Sequence, residues 1–209
     1  MHSVVIVDDH PAIRIAVRAS LESSGNFQVV GEADNGPRAL ELIREHRPAL
    51  AILDLGIPKV SGLELMERLK VTHPALKVLV LSGQDEAIFA TRAIQAGANG
   101  FLSKTEGMNK LVDSARAVLA GYSTFPTSAL VSLTSPAGTT PAELVNSLSN
   151  RELTVLQQLA SGKSNKEIAD ALLISNKTVS SFKTRLFEKL GLSSLVELVD
   201  FARKNHLVP

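Results

Sequence analysis

Hydrophobic residues recur with two alternating periods over the first 122 positions. Short, nearly uninterrupted apolar runs stand at Val4–Val7, Val29–Gly31, Leu50–Leu53, Val78–Leu81 and Gly100–Leu102. Between them lie stretches with helical spacing, Ala12–Ser23, Pro37–His46, Leu63–His73, Ala87–Ala96 and Met108–Ala120. Strand and helix alternating five times predict an α/β domain, a parallel sheet covered by helices on both faces. Runs such as AILDL and KVLVLS are apolar almost throughout, as burial on both faces requires.

The pattern changes at Ser123. Residues 123–147 (STFPTSALVSLTSPAGTTPAELVNS) are rich in Ser, Thr and Pro, which disfavours a packed element and predicts a flexible linker with at most short helical turns. Beyond it, helix starts are marked by capping residues. Ser149 with Glu152, Ser164 with Glu167 and Ser194 with Glu197 each have the spacing of a capping box. Ser175 is placed to cap a fourth helix that runs to Leu190, with Gly191 following as its C′ residue. The expected organisation is an α/β domain over 1–122, a linker over 123–147 and a small all-α domain over 148–209.

Composition narrows the class. Apolar residues make up 44% and charged residues 21%, which is ordinary for a globular protein, and cysteine is absent, which excludes disulfides and thiol chemistry. The start MHSVVIVDDH lacks a basic segment followed by a long apolar one, and no run approaches a membrane span, so a cytoplasmic protein without membrane contact is expected. The net charge of +1 conceals an asymmetry. Met1–Tyr122 carries 13 Lys and Arg against 14 Asp and Glu, whereas Leu148–Pro209 carries 9 against 6. The basic excess at the C-terminal end points to a polyanion partner.

In a parallel sheet, ligands bind beyond the C-terminal ends of the strands. The residues expected there are Asp8 and Asp9 after the first strand, Asp54 after the third, Ser82 ending the fourth and Lys104 past the fifth. Three converging carboxylates call for a hard divalent cation with oxygen ligands, Mg²⁺ above all. A lysine and a hydroxyl beside them suit phosphoryl oxygens, so the set has the makings of a phosphoryl-transfer site with a carboxylate nucleophile. Each residue alone has a plainer explanation as a cap, a turn former or a solvated charge. The five strand ends together carry the case. The histidines His2, His10, His46, His73 and His206 show no metal-ligand spacing, and His10 stands at the entrance to the first helix with Pro11 at N1.

VVIVDDHP, ILDLGIPKVSGLE, VLVLSG and GFLSK resemble, in order and spacing, the receiver domains of two-component response regulators. The resemblance implies a flavodoxin-like doubly wound sheet with Asp54 as phosphoacceptor. It implies Asp8 and Asp9 in a Mg²⁺ pocket where Asp9, Asp54 and the carbonyl of Gly56 are ligands. It also implies Ser82 as switch hydroxyl, Lys104 as the phosphate-pairing lysine and Phe101 as the rotating aromatic, although core packing accounts for Phe101 equally well. Thr105 stands where many receivers have proline, which argues against a cis peptide at that bond.

Within 148–209, SNKEIADALLISNKTVSSFKTRLFEKL reads as helix, turn, helix. The second helix has an apolar stripe of Val179, Phe182, Leu186 and Leu190, and elsewhere it presents Lys177, Ser180, Ser181, Lys183, Thr184 and Arg185. Small polar residues flanked by basic ones suit entry into a major groove, though a solvated amphipathic helix has the same look. The stretch LSNRELTVLQQLASGKSNKEIADALLISNKTVSSFKTRLFEKLGLSSLVEL resembles the LuxR-type helix-turn-helix. That resemblance implies base-facing Ser180, Ser181 and Thr184, and phosphate contacts from Lys166, Lys177, Lys183 and Arg185. Many relatives carry histidine at Phe182, so the resemblance carries no base contact over to it. The final helix, Ser194–Asn205, is the usual dimer contact and offers Leu195, Leu198 and Val199, which could equally pack within their own domain.

The two regions together are identified with the NarL/FixJ family of response regulators and resemble its BvgA/EvgA-like subgroup, fed by phosphorelays from hybrid sensor kinases. The resemblance implies phosphorylation of Asp54 by a histidine kinase or histidine phosphotransfer protein, homodimerisation, promoter binding and contact with RNA polymerase. Three other readings exist. A hydrolase with an aspartyl-phosphate intermediate would need a second aspartate two residues after the nucleophile, where Gly56 stands. A regulator that works without phosphorylation leaves the complete pocket unused, and a protein-binding adaptor leaves the helix-turn-helix unexplained.

Overall fold

A computed structural model describes residues 1–134, 144–145, 147–205 and 207–208. The expected linker therefore lies partly outside the described residues, as does His206. The chain divides into two compact units, Met1–Leu133 and Thr134–Pro209.

In the first unit the five apolar runs form β1 (His2–Val7), β2 (Phe27–Ala33), β3 (Leu50–Leu53), β4 (Lys77–Ser82) and β5 (Gly100–Ser103). They make one parallel sheet in the order β2-β1-β3-β4-β5. β2 is longer than its hydropathy predicts. As an edge strand it alternates buried Phe27, Val29 and Ala33 with more open positions, so only its middle reads as a continuous run.

The intervening helices are α1 (Pro11–Ser23), α2 (Gly36–His46), α3 (Gly62–Thr72), α4 (Glu86–Gln95) and α5 (Met108–Leu119). Alternation along the strands sends Val4, Ile6, Leu50, Ile52, Leu79, Leu81 and Leu102 to one face. There they pack with Val17 and Leu21 of α1 and Leu111, Ala115 and Val118 of α5. On the other face α2 packs on β1 and β2, and α4 on β5. The expected doubly wound sheet is what forms.

Residues 123–134 depart from the linker expectation. Thr124 pairs with Gly100 as an isolated parallel bridge, and Thr127–Thr134 forms a helix, α6. The Phe101 N–H donates to the Thr124 carbonyl at 2.8 Å and the Thr124 N–H to the Asn99 carbonyl at 3.2 Å. Gly100 permits this approach, because a Cβ there would lie 2.1 Å from Thr124 Oγ1 and 2.8 Å from Leu79 Cδ1. A partner strand end thus orders a segment whose composition alone reads as loop.

The second unit holds α7 (Asn150–Ala160), α8 (Asn165–Leu172), α9 (Asn176–Leu190) and α10 (Leu195–Lys204). α7 lies at its centre, packed against α9 and α10 through Leu153, Val155, Leu156 and Leu159. Two of the three expected capping boxes are complete, at Ser149/Glu152 and Ser164/Glu167. The third is half made. The Glu197 N–H donates to Ser194 Oγ at 3.2 Å, but the Glu197 carboxylate accepts from the Ser193 N–H at 2.7 Å. Ser175 caps α9 and Gly191 ends it in the left-handed region, as the sequence predicts.

Candidate functional site

The acidic pocket is assembled by strand ends. Asp8 leaves β1 with its N–H bonded to the Ala33 carbonyl at 3.0 Å, and the Asp54 N–H is bonded to the Val7 carbonyl at 2.8 Å. Gly62 lets α3 start directly behind Asp54, since a Cβ there would lie 2.4 Å from the Asp54 carbonyl oxygen. Asp8 is 2% and Asp54 5% exposed, so both carboxylates have lost most of their hydration. The Lys104 ammonium compensates them, with Nζ 2.7 Å from Asp8 Oδ2 and 2.8 Å from Asp54 Oδ2.

Burial lifts the Asp54 carboxyl above its ordinary pKa, and the Asp8 charge acts in the same sense, against Lys104 and the Gly56 N–H. Burial works against the Lys104 ammonium too, but its bonds to Asp54 and Asp8 outweigh this and raise its pKa. The lysine is therefore charged at neutral pH. Ser82, fully buried at the end of β4, has its carbonyl bonded to the Lys104 N–H at 2.8 Å and its Oγ accepting from the Gln84 N–H at 3.2 Å. Phe101, one strand residue on from Gly100, is 4% exposed. The described residues contain no cis peptide, in line with Thr105 in place of proline.

Ligand atoms of Asp8, Asp9, His10 and Asp54 lie within 4.8 Å of one another. Asp9 is the open carboxylate, with a side chain 36% exposed, and the His10 ring is more open still at 66%. Carboxylate oxygens grouped in this way suit a hard divalent cation. Gly56 contributes a backbone N–H to Asp54 and has no side chain for acid–base work.

Two residues of this site were not singled out in the sequence. His10 stands at the entrance to α1 as expected but makes no side-chain capping bond. Its ring folds back so that Nδ1 lies 2.8 Å from Asp9 Oδ1 and 3.3 Å from Asp8 Oδ1. Arg14, one turn into α1, donates to the Asp8 carbonyl at 2.7 Å while Glu32 of β2 holds its Nε at 3.2 Å. Its helical position was legible, but its partners come from other elements.

In the second unit α9 exposes Lys177, Ser180, Ser181, Thr184 and Arg185 on its surface, and Lys166 is exposed on α8. The three hydroxyls donate back into the helix, Ser180 to the Asn176 carbonyl, Ser181 to that of Lys177 and Thr184 to that of Ser180, at 3.2, 3.1 and 3.2 Å. Asn165 at the start of α8 reaches across to Ser180 Oγ at 3.3 Å. Lys183 differs from the other cations. It is half-buried, with Nζ 5.7 Å from the centre of the Phe187 ring.

One expectation needs correction and one open alternative is decided. The apolar stripe of α9 buries Val179, Leu186 and Leu190, but Phe182 stays half-buried and lines a concave niche with Ser175, Lys177, Thr178, Ser181 and Arg185. In α10, Leu198 is fully buried in its own domain, because it falls on the face turned to α7. What the helix presents outward is Leu195, 42% exposed, and Val196, 71% exposed.

The fold and the pocket define a receiver joined to a helix-turn-helix, and comparison with known families agrees. Residues 4–116 match the response regulator receiver domain, and residues 146–202 match the bacterial regulatory proteins of the luxR family. The chain belongs to the NarL/FixJ family of response regulators, phosphorylation-dependent regulators of transcription. It is 49% identical to BvgA of Bordetella pertussis, described as a positive transcription regulator of virulence factors, over 99% of both chains. It is 35% identical to the DNA-binding transcriptional activator EvgA of Escherichia coli, over 98% of this chain and 99% of that one. Among solved structures, RcsB of Salmonella enterica bound to promoter P1flhDC in the presence of the phosphomimetic BeF3− is similar with a TM-score of 0.72 and 28% identity. That match covers 96% of this chain and 97% of RcsB. Among the described residues no helix is long and apolar enough to cross a membrane.

Proposed function

We propose that this response regulator is phosphorylated on Asp54 by a histidine kinase or a histidine phosphotransfer protein, and that the modified protein dimerises and binds promoter DNA in the cytoplasm. The observation that carries the reading is Lys104 Nζ held between the buried carboxylates of Asp8 and Asp54 at 2.7 and 2.8 Å. A lysine so placed can leave Asp8 and Asp54 for a phosphoryl oxygen without crossing the pocket.

An Asp54 carboxylate oxygen attacks the phosphorus of a phosphohistidine. The new O–P bond forms as the N–P bond breaks, and the departing imidazole nitrogen takes up a proton. Asp9, Asp54 and the Gly56 carbonyl would hold Mg²⁺ with Asp8 beside them, and the ion supplies neutralising charge to the phosphoryl oxygens. Lys104 then pairs with one oxygen of the acyl phosphate and the Ser82 hydroxyl donates to another, with Phe101 following the displacement of β5. Turnover is limited to slow hydrolysis of the acyl phosphate, since Gly56 offers no acid or base.

On the DNA side, Ser180, Ser181 and Thr184 face base edges, while Lys166, Lys177, Lys183 and Arg185 take phosphates. A homodimer would address two half-sites and place RNA polymerase beside the bound regulator.

The test measures intact mass, oligomer size and promoter binding with acetyl phosphate and Mg²⁺, for the full chain and for Asp54→Ala. The expected result is a labile gain of one phosphoryl group, a shift to dimer and tighter DNA binding, all lost in the variant. Phosphorylation that persists in Asp54→Ala would overturn the assignment.

A further inference from the structure

The ring of Phe182 is the one apolar group in a niche otherwise built of hydroxyls and cations. Lys177 and Arg185, both exposed, flank it, and Ser175, Thr178 and Ser181 complete the lining. The hydroxyls are committed elsewhere. Ser175 Oγ and Thr178 Oγ1 are paired at 2.7 Å, and Ser181 Oγ donates to the Lys177 carbonyl at 3.1 Å. Ser181 also belongs to the face proposed to meet base edges, so the niche is continuous with that face, and its two cations match the charge of a phosphate backbone. The remaining stripe residues Val179, Leu186 and Leu190 are buried, so Phe182 is the stripe residue whose ring is left half-open.

A phenyl ring has no hydrogen-bonding group with which to read a base edge. What it can distinguish is the thymine 5-methyl, the one apolar feature of the major groove, which cytosine lacks. We propose that Phe182 is a specificity-determining residue that reads thymine through its methyl group. Lys177 and Arg185 hold the flanking phosphates and fix the ring's register. The inference rests on the DNA-reading role of α9 proposed above.

The experiment uses the full chain with BeF3− and Mg²⁺. A duplex site is first selected from random DNA, and each thymine in it is then replaced singly by deoxyuridine, which removes only the methyl. For the native protein, at least one thymine per half-site should lose affinity about 3- to 10-fold, the worth of one buried methyl. For Phe182→Ala the same replacement should cost less than about twofold. Phe182→His, which keeps a ring of similar size, guards against loss of folding and should also lose methyl sensitivity. If no deoxyuridine position matters to the native protein, or if the sensitivity survives in both variants, the inference fails while DNA reading by α9 stands. If no sequence is enriched at all, the DNA-reading role falls and this inference with it.

Discussion

Lys104 carries more of the pocket's stability than an ordinary lysine. Asp8 and Asp54 are nearly fully buried, and its ammonium is the cation within bonding distance of both. Removing one partner of a buried charge cluster leaves the others uncompensated, which costs about 3–5 kcal/mol. Lys104→Ala should therefore melt well below the native protein in chelator. Mg²⁺ should raise its melting temperature more than that of the native chain, because the ion then replaces the lost charge. Equal melting of the two proteins in chelator would show that the carboxylates are compensated some other way. Leu173, in the turn between α8 and α9, is a different case: it has a φ of 54° and is 72% exposed. A branched apolar side chain in the left-handed region is disfavoured by the backbone and unsupported by packing. The left-handed turn itself ends α8, bringing the Leu173 and Ile174 N–H groups back to the Asp170 and Ala169 carbonyls at 3.4 and 3.0 Å, but nothing in the structure explains leucine there.

Single bonds tie whole helices together at the next scale up. Glu152 completes the capping box of α7 and also meets Lys189 of α9 at 2.7 Å. Burial works against its charged form, but Lys189 and Ser149 outweigh burial and hold the carboxyl below the usual glutamate range. A depressed acid stabilises the fold above its unfolded pKa and loses that contribution as the pH falls through the folded value. Lys189→Met should accordingly cost about 1 kcal/mol at neutral pH, the side chain being 40% exposed and partly screened. The gap to the native protein should narrow as the pH falls through the lowered pKa of Glu152, as read by urea unfolding across pH. In the first unit, Gly100→Ala should lower stability by about 1–3 kcal/mol, since the new Cβ meets Thr124 and Leu79. Adding Thr124→Gly should recover part of that loss by removing the hydroxyl from its path, and a purely additive double variant would contradict the docking of residue 124 on β5.

For the molecule as a whole, charge is divided by task. The near-neutral N-terminal part holds a compensated acidic pocket, and the basic C-terminal part exposes Lys166, Lys177 and Arg185. Phosphate contacts and base contacts respond differently to salt. Lys177→Ala should lower the slope of log affinity against log salt by about one unit and weaken all sequences alike, whereas Thr184→Ala should leave the slope and relax base preference. Identical behaviour of the two would mean that the faces of α9 are wrongly assigned. Lys183 should change the slope less than Lys177, because the Phe187 ring already engages its ammonium.

Hydrophobic period and capping residues determined most of the architecture by themselves. Strands buried on both faces and helices begun by Ser149, Ser164 and Ser175 are local statements, readable wherever burial and a cap lie within one segment. The chemistry-bearing strand ends, Asp8, Asp9, Asp54, Ser82 and Lys104, were legible for the same reason, because in a parallel sheet topology alone sends them to one edge. What tertiary structure decided was every relation between distant segments. Polar composition concealed the docking of Thr124 on Gly100, which only a free strand edge could order. Periodicity could not say that Leu198 turns inward while Val196 faces out, since the choice depends on where α7 lies. Nor could spacing show that His10 and Arg14 close around Asp8, or that Phe182 stays half-open while its neighbours in the stripe are covered. A side chain's period tells which face it shares, whereas burial is set by what the rest of the chain brings to that face.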